Sequence, residues 1–401
     1  MPKLLQINVT CNWGSHGTIA ESIARLAMQD GWECYTAFSR GEAKSVTKTI
    51  RIGSSMDKYV HGVKSLLFDN EGLNSTGATK ELVNAIKEIQ PDIIHLHNIH
   101  GHFLNYRILF EFLREYDKPV VWTLHDCWSF TGHCSHFERN GCFKWRMECY
   151  DCKFKRVYPK SLLLQRCQRN YNVKKDSFRS VPSLTLVPVS EWLERFLHES
   201  FLKDCNIQTI HNGVDLNVFR QKKKNPQSND VKHGFCILGV SSVWPESKGL
   251  ADFVRLRSIL PGYYRVILIG LSKKQIRQLP SGIHGIGRTN NVEELVKYYN
   301  DADVFINPTY EDNFPTVNLE ALACGTPVIT YRTGGSPEAI DEKTGIVVEQ
   351  GNVDALADAI CKMRQNPLSS ADCRRRAEML WDKDRCFEKY VDLYNRLLKG
   401  E

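Results

Sequence analysis

The run Tyr310-Glu311-Asp312-Asn313-Phe314-Pro315-Thr316-Val317-Asn318-Leu319-Glu320 gathers three acids, a proline and small polar residues directly after an apolar segment. It reads as an acidic strand-end loop entering a helix, with Asn313 or a neighbour as cap and Pro315 in the first turn. Unbonded N–H groups at a helix start can hold a diphosphate. Carboxylates such as Asp312 and Glu320 can accept hydrogen bonds from sugar and ribose hydroxyls. Complementing the helix dipole accounts for Glu311 or Asp312 alone, not for the whole constellation.

Other clusters invite chemistry. His125-Asp126 follows a buried strand, where an imidazole can bond a substrate hydroxyl or transfer a proton, or simply belong to a structural loop. Gly14 and Gly17 separate the first strand from a helix. They either let the backbone approach an anion or make a tight turn, and they form no full dinucleotide fingerprint. His95 and His97 share one strand face. Without a cysteine or carboxylate at metal spacing, they read as cleft or core residues. Cys134, Cys142, Cys149 and Cys152 can surround a structural zinc tetrahedrally; reduced core cysteines or disulfides are the alternatives.

The chain that must position these groups has 401 residues, 42% hydrophobic and 25% charged, which fits two globular domains and excludes wholesale disorder. No apolar run approaches the roughly 20 residues of a membrane span. The start, Met1-Pro-Lys-Leu-Leu-Gln-Ile, reads as a strand and not as a signal peptide, so a cytoplasmic location and reduced thiols are expected. The net charge is +7, yet residues 139–179 hold twelve Lys or Arg against three acids. That focus suits an anionic partner.

Strand-like segments at Leu4–Val9, Glu33–Phe38, Asp92–His97, Val120–Leu124 and Leu184–Val189 alternate with helical patterns. A polar loop at 221–230 follows. A second series then runs through Phe235–Val240, Arg265–Ile269, Ile283–Ile286, Val304–Ile306, Val328–Thr330 and Ile346–Val348. This predicts an α/β fold of two Rossmann-like, doubly wound domains, with ligands at the carboxyl ends of the strands. A last helix near 383–399 carries Phe387, Tyr390, Tyr394 and Leu397, a stripe that needs a surface.

The 311–320 run resembles the E-x7-E signature of retaining glycosyltransferases of family 4 with the GT-B fold, and of their bacterial surface-polysaccharide subgroup. His211-Asn-Gly213-Val-Asp215, Lys248-Gly249, Ala302-Asp303-Val-Phe-Ile-Asn307-Pro308 and Gly334-Gly335-Ser-Pro-Glu338 extend the likeness along the whole chain. The resemblance implies two domains facing a cleft. Residues 1–212 would form the acceptor-side domain, with a basic, Cys-rich insertion at about 127–160. Residues 213–380 would bind the nucleotide sugar, and 381–401 would form a crossover helix packing back on the first domain.

It also implies roles. Lys248 would neutralise the donor diphosphate, Glu320 hold the ribose, and Asp312 or Glu311 bind donor-sugar hydroxyls with the backbone from Asn313 and Phe314 through Pro315, Thr316 and Val317. His125 would touch the donor sugar, and Gly14 and Gly17 would let the first loop reach it. Ser242 stands where the family usually has arginine, and Arg288 would supply part of the missing charge. The expected reaction moves a sugar from a nucleotide diphosphate to an acceptor hydroxyl with retention, without a cofactor or catalytic metal. The acceptor would be a glycan or lipid-linked glycan at the inner leaflet of an anionic cytoplasmic membrane. An epimerase or phosphorylase on the same fold is the enzymatic alternative. A nucleic-acid-binding protein stacking bases on Phe143, Trp145, Tyr150 and Phe154 is the non-enzymatic one.

Overall fold

The computed structural model describes residues 1–41, 44–222 and 234–400. The chain divides into two compact units, Met1–His211 with Phe387–Glu401, and Asn212–Cys386.

The first unit holds strands β1 (Lys3–Ile7), β2 (Glu33–Phe38), β3 (Lys48–Arg51), β4 (Ile93–Leu96), β5 (Val120–Leu124), β6 (Leu184–Pro188) and β7 (Asn206–Ile207). They form one parallel sheet in the order β3-β2-β1-β4-β5-β6-β7. Its helices are α1 (Gly14–Gln29), α2 (Ser55–Phe68), α3 (Thr76–Ile89), α4 (Tyr106–Glu115), α5 (Cys167–Phe178) and α6 (Glu191–His198). Every side chain of β5 is buried, as a strand covered on both faces requires. Helix α4 shows how the covering works. Tyr106, Leu109, Phe110 and Leu113 recur at helical spacing on its buried face, and the Asn105 side chain accepts from the N–H groups of Arg107 and Ile108.

The second unit holds α7 (Leu250–Ile259), α8 (Lys273–Gln278), α9 (Val292–Asp301), α10 (Thr316–Ala323), α11 (Val353–Gln365) and α12 (Ser370–Leu380). Its strands are β8 (Phe235–Val240), β9 (Tyr264–Ile269), β10 (Ile283–Ile286), β11 (Val304–Asn307), β12 (Val328–Tyr331) and β13 (Gly345–Val348). They too are all parallel, in the order β10-β9-β8-β11-β12-β13. Strand order reverses between β1 and β4 in one sheet and between β8 and β11 in the other. Loops beyond those switch points are where doubly wound sheets bind ligands.

The last helix, α13 (Lys383–Lys399), ends in the first unit. There Tyr394 donates to His95 Nδ1 at 2.6 Å, and Thr123 bonds Tyr390 at 3.0 Å. The expected apolar stripe is thus a buried, partly polar seam. Strands β3 and β7 and helices α2 and α5 are additional to the elements expected from sequence. Residues 223–230 of the expected loop lie outside the described residues. Among the described residues no helix is long and apolar enough to cross a membrane.

The charged insertion has its own aromatic core. Phe130, Phe137 and Trp145 are buried against each other and against Trp192 and Phe196. Trp145, once a candidate base-stacking residue, is inside.

Candidate functional site

The loop after β11 and the start of α10 are held from behind. Tyr310 and Tyr331 both donate to Asp252 Oδ2 at 2.8 Å, and the Tyr310 N–H donates to the Ser247 carbonyl at 2.7 Å. A Cβ on Gly334 would fall 1.6 Å from the Asp312 carbonyl oxygen, so the loop after β12 can press this close only as glycine. Buried amides finish the scaffold. Asn307 donates to Asn318 Oδ1 at 2.9 Å, Asn318 donates to Ser336 Oγ at 2.9 Å, and Ser336 and Thr330 share a hydroxyl bond of 2.6 Å.

On this frame Lys248 Nζ lies 2.6 Å from Asp312 Oδ2 and 3.2 Å from the Glu311 carbonyl oxygen. Asp312, not Glu311, therefore carries the carboxylate beside the lysine. Pro315 is the N-cap of α10, one position before the first turn where the sequence placed it, and its own side chain makes no cap bond. Asn313, Phe314 and Pro315 are buried, with Phe314 against Trp381 at 5.2 Å between ring centroids. Thr316 and Val317 are half-buried at the first turn. Glu320, one turn on, accepts from Tyr299 at 2.8 Å. Burial pushes its carboxyl up to about 7, with hydrogen bonds from Tyr299 and Thr316 pulling the other way. The arrangement offers a cation, a carboxylate, first-turn N–H groups and a second carboxylate along one strand-end loop and its helix. Ser242 is exposed in the loop after β8, and Arg288 is exposed after the edge strand β10, two strands from β8.

In the first unit, the switch-point loops gather histidines. His97 Nδ1 lies 3.3 Å from His125 Nε2, and His16 and His125 have ring centroids 6.0 Å apart. Asp126 takes His100 at 2.7 Å, and the Trp128 N–H donates to its other oxygen. Burial, first of all, holds His125 and His97 well below the usual imidazole range, and His16 down at about 4. Burial also opposes charge on His100, but Asp126 outweighs it and holds that imidazole up. Gly14 opens α1 at φ +70° with open space around it. Gly17 is different: a Cβ there would sit 2.7 Å from Thr10 Oγ1, so it packs α1 against its own loop.

The four insertion cysteines are free thiols in one neighbourhood. Burial and then the other three cysteines raise Cys134, and burial pushes Cys149 up to about 11. The Gly132 N–H donates to Cys149 Sγ at 3.1 Å. Among the described residues, three donor atoms come within 4.8 Å of one another only at His61, Glu71 and His102. Both His61 nitrogens there have partners, Ser75 Oγ at 2.8 Å and the Gly72 N–H at 3.2 Å, and Glu71 accepts from the Gly101 and His102 N–H groups. That group fastens the turn after α2 to the loop after β4.

Residues missed at the sequence level are those whose partners are remote: Asp252, Tyr299, Asn307 and Asn318 behind the acidic loop, and Gln6, Asn8 and His16 beside His125. Buried amides in a strand, such as Gln6, were the available signal.

Comparison with known proteins follows the same division. A family model described as Glycosyltransferase Family 4 matches residues 17–218, and one described as Glycosyl transferases group 1 matches residues 234–366. The putative colanic acid biosynthesis glycosyl transferase WcaC of Escherichia coli (strain K12) is 22% identical over 422 residues, covering 98% of this chain and 100% of that protein. The capsular polysaccharide biosynthesis glycosyltransferase CapM of Staphylococcus aureus is 31% identical over 235 residues, 53% of this chain and 62% of that one. Among solved structures, sucrose-phosphate synthase from Thermosynechococcus elongatus superposes with a TM-score of 0.74 at 18% identity, covering 100% of both chains. Anabaena HepE in complex with UDP-glucose gives 0.67 at 14% identity, covering 98% of this chain and 99% of that one.

Proposed function

The chain belongs to glycosyltransferase family 4, and from that premise we propose that it moves a sugar from a nucleotide-diphosphate donor to an acceptor hydroxyl in surface-polysaccharide assembly, with retention of configuration. The observation that carries the donor assignment is Lys248 held 2.6 Å from Asp312 at the β8/β11 switch point, with Glu320 following on α10. Donor binding would place the diphosphate against the Lys248 ammonium and the first-turn N–H groups of α10. Glu320 would accept from the ribose hydroxyls and Asp312 from the sugar. The departing diphosphate, its charge balanced by Lys248, would take the acceptor proton as the new bond forms on the same face. His125 would bind a sugar hydroxyl at the strand-end loops of the first unit.

The test is transfer by Lys248→Ala and Glu320→Gln. Each removes one charge-assisted contact, so each is expected to lower kcat/KM about ten- to hundredfold. Wild-type transfer by both folded variants would put the donor elsewhere.

A second observation supports a lipid-linked acceptor. Lys58, Tyr59, Val63, Tyr158 and Lys160 line one groove in the first unit. Tyr59 is 70% exposed and Leu163 63%, and the Leu162 N–H donates to the Leu66 carbonyl, which seats the 162–164 leucines against α2. An apolar, basic-edged surface of this kind suits the anionic face of a membrane.

A further inference from the structure

Asp252 stands in the first turn of α7 and is only 9% exposed. The helix N-terminus favours a carboxylate there, but an apolar side chain would fill the same space without the cost of burying a charge. What the carboxylate adds is a point of attachment. One oxygen, Oδ2, accepts from both Tyr310 and Tyr331 at 2.8 Å. The two rings meet edge to face, with centroids 5.7 Å apart. A single atom of α7 thus fixes the loop after β11, through Tyr310, and the end of β12, through Tyr331.

The same loop carries the groups that hold Lys248. Its ammonium bonds Asp312 Oδ2 at 2.6 Å and the Glu311 carbonyl oxygen at 3.2 Å, and both residues follow Tyr310 directly in the chain. The lysine's own turn is pressed onto the residues just before them. The Tyr310 N–H donates to the Ser247 carbonyl at 2.7 Å, and a Cβ on Gly249 would fall 2.2 Å from the Pro308 carbonyl oxygen. From the loop after β13, Gln350 Nε2 donates to the Tyr310 carbonyl at 3.4 Å. The Asp252–Tyr310 bond therefore closes a ring. It runs from Lys248 through its turn into α7, across Asp252 to Tyr310, and back to the ammonium through Glu311 and Asp312. Tyr331 gives its hydroxyl to the same oxygen from outside that ring.

We propose that Asp252 is a positioning residue for transfer: by tying Tyr310 to α7 it holds the Lys248 ammonium in register with Asp312 for the departing diphosphate. The ring of contacts is complete without any ligand, so the cation needs no rearrangement as charge develops on the leaving group. This rests on the reading above that Lys248 neutralises the donor diphosphate. Positioning through Tyr310 is separable from mere stabilisation, because Tyr331 supplies a hydrogen bond of the same length to the same oxygen.

The experiment compares Tyr310→Phe with Tyr331→Phe in the full-length protein, since each keeps its ring and loses one hydroxyl bond to Asp252. Both are expected to lower Tm. Binding of inorganic pyrophosphate, read by calorimetry, is expected to weaken about tenfold in Tyr310→Phe and less than about twofold in Tyr331→Phe, and kcat for transfer to follow the same split. Lys248→Ala is expected to weaken pyrophosphate at least as much. Adding Tyr310→Phe to it is expected to remove no further affinity, because the hydroxyl acts through the lysine. Asp252→Ala is expected to reproduce the loss, and Asp252→Asn, which keeps an acceptor oxygen, to restore most of it. Wild-type affinity in a folded Tyr310→Phe protein, equal losses in the two tyrosine variants, or a Tyr310→Phe loss that persists in full beside Lys248→Ala would overturn the proposal while Lys248 kept its role. Pyrophosphate binding indifferent to Lys248→Ala, or no binding at all, would instead remove the donor reading and the proposal with it. If Asp252→Ala does not fold, the tyrosine pair and the double variant decide.

Discussion

Glu320 is the residue whose chemistry is most exposed to a simple measurement. Its carboxyl is raised to about 7 by burial, against hydrogen bonds from Tyr299 and Thr316. Accepting from ribose hydroxyls needs the ionised form. Donor affinity is therefore expected to fall as pH drops through about 7, by at most about tenfold per unit for one proton. The sign for stability is the opposite. Between the ordinary carboxyl value of 4.5 and about 7, the folded protein binds this proton and the unfolded chain does not. The contribution of Glu320 to stability is thus full at low pH and lost as pH rises through about 7. Titrating nucleotide-sugar binding from about pH 5.5 to 8.5, in wild type and Glu320→Gln, checks this. The wild-type affinity is expected to slope and the variant to be flat. A slope that persists in the variant would move the titration to another group.

At the scale of elements, the cysteine-bearing insertion carries a separate expectation. Its aromatic core of Phe130, Phe137 and Trp145 packs against Trp192 and Phe196, and its four thiols are neighbours, with Cys142, Cys149 and Cys152 all acting on Cys134. We propose that zinc draws Cys134, Cys142, Cys149 and Cys152 together in a structural site. Protein purified without chelators is expected to hold one zinc per chain, lost in Cys149→Ser, with transfer surviving brief EDTA treatment. Metal-free wild type on elemental analysis would leave the cysteines as core residues. The elements themselves were legible wherever burial was on both faces, as in the all-buried β5 and β12. Strand β3 was not, because it is an edge strand with mostly exposed side chains. Helix α2 buries only His61 and Ser65, and α5 turns Asn170 and Lys174 inward, so neither shows an apolar stripe. The acidic run 311–320 was legible because its residues are consecutive. Its supports were not, since Tyr299 reaches Glu320 and Tyr331 reaches Asp252 across the fold. Asp126 takes His100 and His125 lies beside His97, both partners remote in the sequence.

At the scale of the whole molecule, each unit offers one strand-order reversal, and the two carry different chemistry. The second unit presents a cation and carboxylates; the first presents clustered imidazoles and, elsewhere, a basic-edged apolar surface. Replacing Tyr59 and Leu163 by Ser and Lys160 by Gln is expected to abolish co-sedimentation with vesicles containing anionic lipid. Wild-type binding should weaken with salt, at roughly 1 kcal/mol per basic residue near the surface. Binding to neutral vesicles alone, or none, would favour a soluble acceptor. The central claim is the transfer itself, and the most direct measurement offers the enzyme a panel of nucleotide sugars with glycan and lipid-linked acceptors and reads the product's anomeric configuration by NMR. The expected result is acceptor-dependent transfer from a nucleotide-diphosphate sugar with the donor's configuration kept, lost in Lys248→Ala. An inverted product, or conversion of the nucleotide sugar that proceeds equally without any acceptor, would contradict it.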